Sequence, residues 1–179
     1  MTQNASQFSK KIKITVADCV TLAGLISSVI ATLFIFENKF LIGYFFILGQ
    51  IIADLLDGRI ARSRKEESNL GMFLDSFSDF YTIAVTAFMG LMMGMGNMLT
   101  LIIIPVFIAS AALRLGLFMA RGGVKDGYFR GIPTTAISCG IPLLLILNYY
   151  FWNLDINYAL ILYAASAIFM PSKIKIKKI

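Results

Sequence analysis

Six apolar runs, each near the length of a bilayer crossing, constrain this chain more than any other feature. They cover residues 16–36, 40–60, 72–95, 98–119, 132–152 and 156–170. A helix needs about 20 mostly apolar residues to cross the hydrocarbon core. Only helices and closed barrels satisfy their backbone polar groups there. The last run is short. The pattern predicts an all-α, polytopic membrane protein: a six-transmembrane-helix bundle.

Charge placement sets the orientation. The breaks at 37–39, 94–97 and 153–155 read as tight hairpins, whereas 62–71 and 121–131 are longer and charged. With both termini cytoplasmic, the inner segments and inner helix ends take fifteen of the 16 Lys and Arg residues, and the outer loops keep only Lys39. The positive-inside rule then fixes the topology. Residues 1–13 read as a cytoplasmic interfacial segment, 14–172 as the transmembrane domain and 173–179 as a basic cytoplasmic tail. The apolar run after residue 13 is too long for a signal-peptide core. Net charge is +6. Because the cations fall between apolar runs, they suit anionic lipid headgroups rather than nucleic acid. The chain is 58% hydrophobic and 15% charged, against roughly 45–50% and 25% for a soluble domain, which leaves little for a separate soluble domain.

Against that background four carboxylates stand out: Asp54 and Asp57 near the inner end of the second run, Asp75 and Asp79 near the inner start of the third. At about 1.5 Å per residue, all four fall roughly 4–11 Å inside the cytoplasmic boundary. The i,i+3 and i,i+4 spacings put each pair on one helix face. Two antiparallel helices can converge them on one pocket open to the cytoplasm and, sideways, to lipid. Acidic groups at that depth are costly unless paired, and so mark a functional site. The bland alternative is that they pair with Arg59, Arg62, Arg64 and Lys65.

The chain has no histidine, which excludes a His base, a Ser-His-Asp triad and His metal ligands. Cys19 and Cys139 lie in apolar runs and read as inert packing residues. Clustered carboxylates without His or Cys point to a hard divalent cation, Mg²⁺, Mn²⁺ or Ca²⁺. Such ions commonly hold phosphates. Gly58 and Ala61 keep the same face open, and Arg62 offers a planar cation for a phosphate.

Asp54-x-x-Asp57-Gly58-x-x-Ala61-Arg62, eight residues, then Gly71-x-x-x-Asp75-x-x-x-Asp79 resembles the signature of the CDP-alcohol phosphatidyltransferase family at every defining position. The resemblance implies an integral membrane homodimer that moves a phosphatidyl group from a CDP-linked lipid to an alcohol and releases CMP. It gives Asp54, Asp57 and Asp75 to the metals, and Asp79 to the metal site and to the role of base. Gly58, Ala61 and Arg62 would line the CMP-diphosphate site, and Gly71 would let the third helix pack closely. Asp18 and Thr21, near the inner end of the first run, lie at the right depth to contact the nucleotide.

The acceptor is read from the second half. Residues 114–119 (RLGLFM) and 129–136 (FRGIPTTA) are similar to the later region of the family's phosphatidylserine synthase branch. Met119 stands where that branch has Asn, and Thr135 where it has a second Pro. The resemblance implies CDP-diacylglycerol and serine as substrates; an archaeal ether-lipid analogue would look the same. Arg114, the sole ionisable residue within the fourth run, either pairs with an Asp or grips an anionic acceptor group. Arg121, Lys125 and Arg130 would form a basic rim above it. Pro133 and Thr134 read simply as a helix start. Glycerol 3-phosphate or inositol phosphate is the alternative acceptor. A divalent-cation channel or carrier is the non-enzyme alternative, disfavoured because the outer halves of the runs are almost purely apolar.

Overall fold

The computed structural model describes residues 14–64, 68–120, 128–130, 133–171 and 175–177. Six α-helices occupy the apolar runs: α1 (Val16–Phe36), α2 (Phe40–Arg64), α3 (Asn69–Met92), α4 (Thr100–Ala120), α5 (Thr134–Leu147) and α6 (Ala159–Phe169). Four segments are long and apolar enough to cross a membrane: α1, α2, α4, and α5 with its extension to Trp152. The acidic α3 is not among them, and α6 with its leading 3₁₀ turn (Ile156–Phe169) is shorter. The expected interfacial segment, most of the basic tail, Lys65, Arg121 and Lys125 lie outside the described residues.

Local chemistry explains the helix limits. Thr15 and Asp18 form a reciprocal capping box at the start of α1, which satisfies two N-terminal N–H groups. Three tight hairpins each contain a left-handed residue: Asn38 (φ 59°), Gly94 (φ 104°) and Asn153 (φ 48°). Gly and Asn adopt that conformation at least cost. The connection between α2 and α3 differs from expectation. Both helices run into the charged stretch, so only residues 65–68 separate them. Arg62 and Arg64 occupy the last turn of α2, where cations complement the helix dipole. Ser68 caps α3 by accepting from the Gly71 N–H at 2.9 Å.

The fifth run is not uniformly α-helical. It widens into a π-helical segment, Asn148–Trp152, and the Asn148 side chain bridges both backbone groups of Leu154 at 3.1 Å. One short antiparallel pairing joins β1 (Tyr128–Arg130) to β2 (Lys175–Lys177), with Phe129 opposite Ile176.

α1 packs along α2 and α3, while α4 packs on α6 and α3, and α5 on α3 and α2. Lipid offers little hydrophobic drive for helix association, so close approach at small residues matters more. A Cβ on Gly24 of α1 would lie 2.8 Å from the Ala53 Cβ of α2. The buried centre is built on Ile35, Ile47, Ile83, Met89, Phe107, Leu145 and Tyr163. The Phe107 and Tyr163 rings meet edge to face at 5.0 Å. Large apolar side chains such as Leu33, Phe45, Leu101 and Ile168 point outward, an apolar exterior suited to lipid.

The interior is more polar than hydropathy suggests. Ser78, Thr82 and Thr86 form a buried ladder on α3. Gln50 of α2 donates to Ser78 at 3.1 Å, Ser28 of α1 meets Thr82 at 2.9 Å, and the Tyr163 hydroxyl of α6 donates to the Thr86 carbonyl at 2.7 Å. Interhelical bonds of this kind contribute about 0.6 kcal/mol each in membranes. The ladder's groups are engaged with one another, which makes it a fastening between helices rather than a lined path.

Candidate active site

The carboxylates gather where the last turns of α2 meet the first turns of α3. Asp54, Asp57 and Asp75 each present an oxygen, and the three oxygens lie within 4.8 Å of one another. Asp57 is buried, and the other two are half-buried. No cation neutralises them among the described residues, where the ion pair found is the exposed Lys39–Glu37 contact in the first hairpin. The pairing of these aspartates with Arg59, Arg62 or Arg64 is therefore not seen. Three hard, anionic oxygens without His or Cys form a donor set that fits Mg²⁺, Mn²⁺ or Ca²⁺.

α1 supports this cluster from behind. The Thr21 hydroxyl donates to Asp57 Oδ2, which fixes that carboxylate from the side facing α1. Asp18 does not face into the cluster in this way. Its Oδ2 accepts from the Thr15 N–H at 2.8 Å, within the capping box. Its Oδ1 is the atom that limits α3, because a Cβ on Gly71 would lie 2.8 Å from it. Gly71 thus sets how closely the first turn of α3 seats on α1, and Asp75 follows one turn later.

The other signature residues are also placed. Arg62 is exposed and folds back over Gly58, where a Cβ would meet its guanidinium at 3.5 Å. That is ordinary van der Waals contact, so Gly58 leaves the guanidinium packed directly over the helix backbone. Ala61 is half-buried on the same helix.

Asp79 stands apart from the tight trio. Its Oδ2 accepts a hydrogen bond from the Thr134 hydroxyl of α5 at 2.6 Å. It remains within electrostatic reach of Asp54, Asp57 and Asp75, and of Arg114 on α4. Arg114 Nε is buried without a partner among the described residues, as is Ser76 Oγ, which lies one turn before Asp79 on α3. A buried donor left open is costly unless something fills it. The side chain of Arg130 lies outside what is described, as do Arg121 and Lys125, so the basic rim is not placed.

Among the described residues, Thr21 and Thr134 each donate a hydrogen bond to a carboxylate of this site. The first was expected near the nucleotide, and the second only at a helix start. Partner choice across helices leaves no trace in spacing. The one available signal for Thr134 was its position just after Pro133, where a first-turn hydroxyl has no preceding helical carbonyl to bond.

A helical bundle with four segments long and apolar enough to cross a membrane, and three carboxylate oxygens gathered where two of its helices meet, defines a membrane protein with a donor set for a hard cation. The particular family is specific: the sequence model of the CDP-alcohol phosphatidyltransferase family matches residues 14–170, and the chain belongs to that family. It is 33% identical over 150 residues to the CDP-diacylglycerol–serine O-phosphatidyltransferase of Methanocaldococcus jannaschii, covering 82% of this chain and 68% of that one. It is 31% identical over 110 residues to the Saccharomyces cerevisiae protein of the same name, covering 55% of this chain and 40% of that one. The chain is a transferase of phospholipid synthesis and an integral membrane protein.

Proposed function

We propose that the chain transfers a phosphatidyl group from CDP-diacylglycerol, or an ether-linked analogue, to the hydroxyl of L-serine, giving a phosphatidylserine-type lipid and CMP. The observation that carries this reading is the trio of carboxylate oxygens within 4.8 Å, free of any cationic partner among the described residues. The names of the two relatives support serine as acceptor.

In this reading Asp54, Asp57 and Asp75 hold the divalent cation, Mg²⁺ or Mn²⁺, with Ca²⁺ able to occupy the same oxygens. When bound, that ion neutralises the diphosphate and stabilises charge on the transferring phosphoryl and the departing CMP. Thr21 orients Asp57. Gly58, Ala61 and Arg62 receive the CMP-diphosphate, and Arg62 supplies a guanidinium to phosphate oxygens. Asp79 takes the proton of the acceptor hydroxyl, which is a weak nucleophile near neutral pH without a positioned base. The acceptor oxygen bonds to the lipid phosphorus, the bond from phosphorus to the CMP oxygen breaks, and CMP leaves with that electron pair. Arg114, with its open Nε, binds the serine carboxylate.

The same proposal orients the bundle with six crossings, both termini and the carboxylates on the cytoplasmic side, and a homodimer as the working unit. The β1–β2 pairing supports one part of it, that the α4–α5 connection and the C-terminal tail lie on the same side.

An acceptor panel tests the reading. Purified protein is given CDP-diacylglycerol, Mn²⁺ or Mg²⁺, and in turn serine, glycerol 3-phosphate, inositol and inositol phosphate. CMP release and a serine-labelled lipid are expected with serine. Release with glycerol 3-phosphate alone would move the chain to another branch of the family.

A further inference from the structure

We propose that Thr134 is the positioning residue for Asp79, holding one carboxylate oxygen so that the other faces the acceptor hydroxyl. This rests on the reading of Asp79 as the base. Thr134 is 4% exposed, and its hydroxyl lies 2.6 Å from Asp79 Oδ2. A hydroxyl has one proton to give, and here it goes to the carboxylate.

Other threonines of the bundle show why the position matters. Thr21, Thr32, Thr82 and Thr86 each lie in hydrogen-bond reach of the carbonyl four residues earlier in their own helix, at 2.9–3.1 Å, and Thr21 divides its reach between that carbonyl and Asp57. Serine and threonine inside a helix commonly use their proton this way. Thr134 is the first residue of α5, so no helical carbonyl lies four residues before it. Pro133 precedes it with φ −58° and makes no side-chain cap. The chain is therefore held in a fixed approach to the helix, and the Thr134 proton is left for a partner on another element.

The bond also accounts for the place of Asp79 outside the tight trio. Asp54, Asp57 and Asp75 share one small volume, whereas Asp79 is drawn to the first turn of α5. A base needs a defined carboxylate orientation, and outer partners of active-site carboxylates typically matter by about 10–100-fold.

The test compares Thr134→Val, which keeps the shape and removes the hydroxyl, with Thr134→Ser, which keeps the hydroxyl, and with Asp79→Asn. Each is assayed for serine-dependent CMP release and for CDP-diacylglycerol binding. Thr134→Val is expected to lower kcat by about 10–100-fold while KM for CDP-diacylglycerol stays within about twofold, and Thr134→Ser to restore most of kcat. If the valine variant does not accumulate in membranes, Thr134→Ala is read the same way. Equal loss in the serine variant, or weakened CDP-diacylglycerol binding in the valine variant, would make Thr134 a packing residue and overturn the proposal. Normal kcat in Thr134→Val beside an inactive Asp79→Asn would overturn it while leaving Asp79 as base. An active Asp79→Asn would remove the base reading itself, and the role of Thr134 with it.

Discussion

Replacing Gly71 by alanine probes the seating of α3 with a single methyl group. The added Cβ would lie 2.8 Å from Asp18 Oδ1 and 3.2 Å from Ser68 Oγ. Asp18 cannot swing away cheaply, because it is 2% exposed and its other oxygen accepts from the Thr15 N–H at 2.8 Å. The clash must be relieved by breaking the α1 cap or by shifting the first turn of α3. Overpacking of this kind costs about 1–3 kcal/mol, and alanine recovers at most about 1 kcal/mol through helix propensity. Net stability should fall by about 0–3 kcal/mol. Activity should fall further, because Asp75 lies one turn beyond the clash and a misplacement of about 1 Å costs on the order of 100-fold. The assay pairs thermal unfolding in detergent with serine-dependent CMP release, in Gly71→Ala, Asp18→Ala and the double variant. The loss caused by Gly71→Ala should shrink in the Asp18→Ala background, where the obstructing oxygen is gone. Strictly additive losses, or full activity in Gly71→Ala, would refute the close-packing explanation.

Two further outcomes separate the roles within the site. Asp79→Asn should abolish turnover while CDP-diacylglycerol binding is largely kept, whereas Asp57→Asn should weaken metal and nucleotide binding together; equal loss of binding in both would make Asp79 chiefly a metal ligand. Arg114→Ala should raise KM for serine more than KM for CDP-diacylglycerol, and the reverse pattern in steady-state kinetics would put Arg114 on the lipid diphosphate.

Much of the fold is legible in the chain because bilayer-length apolar runs and their punctuation are one-dimensional properties. α1 runs from Val16 to Phe36, as its apolar stretch predicts, because Thr15 caps one end and left-handed Asn38 turns the other. The inner end of α2 was harder to read. Charge suggested a loop from Arg62, yet arginines in a last helical turn are favoured there, and the helix continues to Arg64. The π-helical widening at Asn148 occurs where that side chain bonds Leu154, a contact that periodicity does not encode. The i,i+3 and i,i+4 spacings and the antiparallel return of α3 led to the expectation that all four carboxylates converge; the structure gathers Asp54, Asp57 and Asp75. That Asp79 would turn instead to Thr134, on a helix 55 residues later, follows from tertiary packing alone. So does the α3 ladder, whose Ser and Thr residues look merely tolerable in a hydropathy profile.

The central claim is that the Asp54, Asp57 and Asp75 carboxylates form the cation site through which CDP-lipid is held. Titration of Mn²⁺ into the purified protein, followed by electron paramagnetic resonance with and without CDP-diacylglycerol, reads that site without needing turnover. The wild-type chain should bind Mn²⁺ and bind it more tightly with CDP-diacylglycerol present, and Asp57→Asn should weaken binding by about tenfold or more. Equal Mn²⁺ affinity in wild type and Asp57→Asn, with no response to CDP-diacylglycerol, would contradict it.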